Sequence, residues 1–120
     1  MNPLKINFIH LLQLIASVEW QDKYQSEVNI DIADELICMW FDDFYNNDQR
    51  IKLITLLSVE ELKRINEFHT FYEERVDCLP KQYEQLKESD LWHEIMLKAK
   101  ETLMILNWDK IQTVWGFQAF

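Results

Sequence analysis

The chain predicts an all-α fold, a compact bundle of about five helices with a short aromatic C-terminal tail, on three observations. Glycine occurs once and proline twice in 120 residues, so the punctuation typical of sandwiches, barrels and phosphate-cradling loops is missing. Apolar residues recur at helical spacing in segment after segment. Most of those segments follow a residue able to cap a helix. The length suits one domain, residues 1–120, and an apolar content of 48% with seven Phe, five Trp and four Tyr supplies the core that a disordered chain lacks.

Asn2 and Pro3 open the first helix, since asparagine can accept an orphan N–H and proline has none to lose. Leu4, Phe8, Leu11, Leu12, Ile15 and Val18 then share one side, widened by Ile6 and Ile9, which predicts a buried stripe to about residue 19. Gln21 to Asn29 is polar and reads as a connection. Asp31 can cap a second helix reaching about Tyr45 or Asn46. On it Ala33, Leu36, Ile37, Trp40 and Phe44 face one way, while Asp31, Asp34, Glu35, Cys38, Asp42 and Tyr45 face the other. Asp43 breaks the pattern by falling inside the apolar arc, as it would where a helix frays or an acid caps a neighbour.

Asn46-Asn47-Asp48 signals a turn, and Arg50 to Leu57 reads as a short apolar helix. Ser58 and Glu61 have the spacing of a capping box, so a long helix is expected to about Cys78, stopped by Pro80. Leu62, Ile65, Phe68, His69, Tyr72 and Val76 line its inner face, whereas Phe71 points away among Arg64, Glu67, Glu74 and Arg75. Lys81 to Lys87 reads as a polar connection. Ser89 or Asp90 caps a last helix to about Asn107, with Trp92, Ile95, Met96, Ala99, Leu103 and Leu106 as its core stripe. The tail from Trp108 to Phe120 surrounds the single glycine, Gly116, and its pattern fits a short helix, an extended arm or an edge strand.

Nothing in the chain matches the requirements of a catalyst. No GxSxG or catalytic-cysteine signature is present, and one glycine cannot build a P-loop or a Rossmann turn. Cys38 and Cys78 form no CxxC pair and read as reduced thiols, Cys38 with its pKa raised by nearby acids. His69 and Glu73, one helical turn apart, are the most plausible metal pair, but His69 sits in an apolar stripe and reads as a hydrogen-bonded core histidine. Asp42 to Asp48 lacks the calcium-loop pattern. No catalytic residue, metal ligand or cofactor is therefore assigned. No apolar run is long enough to span a bilayer and no signal-peptide pattern opens the chain, so the expected location is the cytoplasm.

The charge is the feature left over. The net charge is −9, from 21 acidic and 12 basic residues, which disfavours nucleic acid and anionic lipid and favours basic partners. Between Lys23 and Arg50 no basic residue occurs, while Glu27, Asp31, Asp34, Glu35, Asp42, Asp43 and Asp48 all do. Solvated helix faces are often acidic, and Asp31 and Asp34 suit a helix N-terminus for dipole reasons. Aromatics beside the acids point instead to a protein-binding face made of Asp31, Asp34, Glu35, Asp42, Tyr45 and Asp48, with Trp20 and Tyr24 just upstream. Phe71, Trp115, Phe117 and Phe120 form a second candidate interface, for a partner or for a second copy of the chain.

In size, acidity, helical content and lack of catalytic motifs, the chain resembles the small immunity proteins that bacteria carry against polymorphic and contact-dependent growth-inhibition toxins. The resemblance implies a cytoplasmic protein that binds one cognate toxin domain, often a basic nuclease, and blocks it. The competing expectation is a helical adaptor or regulatory subunit acting through Phe71 and the tail.

Overall fold

The computed structural model describes residues 2–112. Among them there is no strand, and the helices follow one another as α1 (Pro3–Ala16), α2 (Val18–Glu27), α3 (Ala33–Cys38), α4 (Asn47–Leu56), α5 (Val59–Glu73), α6 (Tyr83–Leu86) and α7 (Asp90–Ile105). A π-helical turn, Met39–Phe44, continues α3, and a 3-10 turn, Val76–Cys78, follows α5. Seven α-helices thus stand where about five were expected. The two extra ones come from segments that read as polar connections.

The first is α2. Ser17 ends α1 and caps α2 by accepting from the Trp20 backbone N–H, so the chain turns near residue 17 instead of continuing to 19. Gln21 to Asn29 looked like a loop because the inward residue of α2 is a glutamine. Gln21 is fully buried; its amide nitrogen donates to the Leu14 and Ile15 carbonyls at 3.0 and 2.9 Å, and its oxygen accepts from the Trp92 indole at 3.1 Å. A side chain whose polar atoms are all paired is as much a core residue as a leucine. The second is α6, within Lys81 to Lys87, whose buried Tyr83 and Leu86 are spaced to face inward together. Tyr83 donates its hydroxyl proton to Asp22 at 2.7 Å.

The central element is α1, where Phe8, Ile9, His10, Leu11, Leu12, Leu14 and Ile15 are all buried. A helix apolar nearly all round must be enclosed, and α1 packs against α2, α4, α7 and the π-turn. Trp40 anchors the second half of the core. Its ring lies 5.2 Å from Phe8, 4.9 Å from Phe68 and 6.4 Å from Tyr72, centroid to centroid. The expected inner faces of α5 and α7 are the observed ones, with Ile65, Phe68 and Tyr72 on the former and Trp92, Ile95, Ala99 and Leu103 on the latter buried.

Caps set the boundaries. Asn2 caps α1, Asn46 caps α4 so that the helix starts three residues before its apolar run, and Ser89, not Asp90, caps α7. Ser58 and Glu61 make both bonds of the capping box, so Ser58→Ala is expected to cost about 1 kcal/mol in a urea melt. The helix it starts ends at Glu73 rather than near Cys78. At the far end of α7, Asn107 takes a left-handed backbone, φ 58°, and the Trp108 N–H closes on the Leu103 carbonyl at 2.8 Å, which is how a helix terminates when the chain must reverse. Trp108 is then buried, and Gln13 donates to the carbonyls of Trp108 and Ile111. Trp115, Phe117 and Phe120 lie outside the described residues. No helix among the described residues is long and apolar enough to cross a membrane.

Candidate protein-binding face

The acidic segment begins at a joint. One carboxylate oxygen of Asp31 accepts from the Ala33 N–H at 2.9 Å, but the N-cap position of α3 is Ile32, one residue later than the expected cap. Both Asp31 oxygens also lie within 3.0–3.1 Å of the Tyr83 N–H. Asp31 is exposed, yet its carboxylate ties the start of α3 to the start of α6.

Beyond α3 the helix widens. The Tyr45 N–H bonds to the Trp40 carbonyl at 2.7 Å, an i to i+5 closure, so each residue after Met39 lags behind its α-helical position. The anomaly at Asp43 disappears, because the extra residue swings Asp43 out to solvent and swings Tyr45 in. Tyr45 is buried, stacked on Trp40 at 5.4 Å with planes 6° apart and on His69 at 4.2 Å. Its assignment to the outer stripe is corrected: it is a core residue. Tyr24 is corrected likewise, being buried on the inner side of α2. Burial, and then the charge of Glu35, pushes its hydroxyl pKa up from the ordinary value.

What remains outside is acidic. Asp34, Asp42, Asp43 and Asp48 are exposed and Glu35 is half-buried. Ion pairs among the described residues use other acids: Glu61 with Lys5, Glu60 and Glu67 with Arg64, Glu94 with Arg75, and Asp22 and Glu84 with Lys87, while Glu73 faces the His69 ring. None of these pairs involves an acid between Lys23 and Arg50. Arg50, at the far border of the segment, lies 5.7 Å from the Tyr45 ring centre.

Cys38 records how closely the acids approach one another. Burial pushes its thiol pKa up, the hydrogen bond and charge of Asp42 add to that, and Glu35 and Asp34 contribute in turn. Three carboxylates thus act on one sulfur, which stays protonated and a poor nucleophile. Asp48 sits in the first turn of α4, where the helix dipole favours it. The side chain of Asn46 donates to the Asp42 carbonyl and accepts from the Gln49 N–H, clamping the end of the π-turn to the start of α4.

Trp20 stands apart from this face. It is 39% exposed, with the Lys23 ammonium 5.3 Å from its ring, and it lines a groove with Gln13, Ala16, Leu103 and Ile111. Phe71 lies on yet another side, half-buried, its ring 3.5 Å from the Arg75 guanidinium and 5.9 Å from the Lys98 ammonium. It helps to line an open groove of about 680 Å³ that includes Val59, Leu62, Asn66, Thr70 and Lys98. Sequence reasoning singled out Phe71 but missed its companions. Leu62, read as part of the core stripe, is only half-buried and borders the groove, and Val59 beside it is exposed.

His69 is half-buried and bonded, as read from sequence. Its Nδ1 accepts from the Trp40 indole at 3.1 Å, and its Nε2 lies 3.5 Å from the Glu73 carboxylate. No group of three or more potential ligands gathers on a metal position among the described residues. No protein-family model matches the chain, and no curated protein and no solved structure matches it significantly.

Proposed function

We propose that this protein acts by binding, presenting the acidic face of α3, the π-turn and the start of α4 to a basic surface of a protein partner. The observation that carries this reading is the concentration of unpaired carboxylates there, Asp34, Glu35, Asp42, Asp43 and Asp48, on a segment without one basic residue. Unpaired acids over a rigid aromatic floor steer a cationic partner and require no rearrangement to receive it. The immunity-protein resemblance gives that partner a class: a basic toxin domain in the same cytoplasm, occluded stoichiometrically, without catalysis or cofactor.

The test is kinetic, on a partner captured from the native cell. Asp34→Asn, Glu35→Gln, Asp42→Asn and Asp48→Asn are expected to keep the fold and to slow association, with a shallower dependence on salt. Any acid desolvated in the complex costs about 2–5 kcal/mol in affinity. Unchanged rates for all four at low and moderate salt would reduce the face to a solvated surface.

The adaptor reading is favoured by the apolar groove beside Phe71, which α5 and α7 leave open. On that reading Phe71→Ser weakens partner binding while the four acid variants do not.

A further inference from the structure

We propose that His69 is a pH-sensitive latch that holds the π-turn, and the acidic face it carries, in the described conformation. The ring reaches from α5 into an aromatic box: Tyr45 at 4.2 Å, Phe41 at 5.4 Å and Trp40 at 6.4 Å, centroid to centroid. Nδ1 has no proton to offer, because it accepts the Trp40 indole N–H at 3.1 Å. The neutral ring therefore carries its proton on Nε2, facing the Glu73 carboxylate at 3.5 Å. That tautomer satisfies both neighbours. Adding a second proton sets two N–H groups against each other across the Trp40 contact, and the imidazolium cannot keep this position.

The charged ring has a place to go. Glu73 is 65% exposed and the His69 side chain 20%, so a turn toward Glu73 and solvent pairs the new charge. The move costs Trp40 its acceptor and Tyr45 one of its two stacking partners. Tyr45 is the residue whose N–H closes the π-turn on Trp40, so the turn loosens with the latch. The charged groups acting on the ring are Glu73 from α5, which favours protonation, and Arg50 from α4, which opposes it. On the π-turn itself Tyr45 faces the ring, while Asp42 and Asp43 are exposed to solvent.

Burial is the largest influence on His69 and lowers its pKa below the ordinary imidazole value, Arg50 helping and Glu73 opposing. The sign follows. Below about pH 6.5 the unfolded chain binds the proton more readily than the folded one, so the stabilisation present above that value is lost as pH falls toward the folded pKa. His10 is also buried with a lowered pKa, so global stability cannot tell the two histidines apart and a local measurement is needed. The device is independent of what binds the acidic face.

The experiment is a titration of the full chain by nuclear magnetic resonance, from about pH 7.5 to about pH 5. It follows the His69 ring and the Trp40 indole proton, the latter assigned by its loss in Trp40→Phe. The expected result is one shared midpoint. On the acid side the indole proton exchanges about tenfold faster, as loss of one ordinary hydrogen bond implies, and amides of residues 39–46 lose protection while those in the core of α7 keep theirs. His69→Gln, whose amide oxygen can accept from Trp40 but does not titrate, is expected to abolish the local response. An indole signal that ignores the His69 midpoint overturns the latch. An acid response retained in His69→Gln overturns it equally, and if that variant does not fold, the coincidence of the two wild-type midpoints decides.

Discussion

Trp40→Ala is expected to destabilise the protein by about 3–5 kcal/mol, the range for emptying a large aromatic site that cannot collapse. The side chain is fully buried and meets Phe8 from α1, Tyr45 beyond the π-turn, and Phe68, His69 and Tyr72 from α5. These walls belong to three different parts of the chain, each held by further contacts, so relaxation into the void is limited. Against a typical total stability of about 5–15 kcal/mol the loss is a large share. A urea melt followed by far-ultraviolet circular dichroism reads it directly. Trp40→Phe keeps most of the apolar volume and gives up the indole donor, so it should fall well short of the alanine variant. Equal losses would show that the hydrogen bond to His69, not packing, dominates the site.

Gln21→Leu is expected to cost about 2–4 kcal/mol despite its apolar replacement. Leucine matches the burial but leaves the Trp92 indole N–H without its acceptor and removes the side-chain donor that the Leu14 and Ile15 carbonyls share. A buried donor stripped of its partner carries the desolvation cost with no compensation. A double variant with Trp92→Phe removes the orphaned donor too and should recover part of the loss. Thermal melts of the two single variants and the pair measure that coupling, and strict additivity would show the Gln21–Trp92 bond to be energetically idle.

The same two residues explain what could be read from the sequence. Trp40 lay in a clean stripe with Leu36 and Phe44, and stripes of that kind located α1, α5 and α7 and their inner faces. Local capping chemistry was equally legible, because Asn2, Ser58 and Ser89 act on neighbours two or three residues away. Gln21 was not legible. Hydropathy scores a glutamine as solvent-seeking, and the partner that reverses this, Trp92, stands 71 positions later. Tyr83 hid α6 for the same reason, being paired with Asp22 across 61 positions.

For the site, the acidic run could be read because charge is a property of residues, while the facing of its aromatics could not. A hundred-degree wheel presumes α geometry. The π-turn inserts a different pitch after Met39, and Asp43 in the apolar arc was the visible trace of it. Tyr24 and Tyr45 therefore belong to the core, and the face that Asp34, Glu35, Asp42 and Asp48 present is more purely anionic than the sequence alone implied.

The bond between Asp31 and the Tyr83 N–H spans 52 positions, and it bears on the order in which the chain acquires its surface. During synthesis α3 emerges long before Tyr83 does. Until that residue arrives, the carboxylate can accept from the Ala33 N–H but cannot tie α3 to the segment that begins α6. A nascent chain stopped before α6 therefore carries every acid of the face but lacks this tie, so the orientation of that face is a property of the longer chain rather than of the segment that bears the charge.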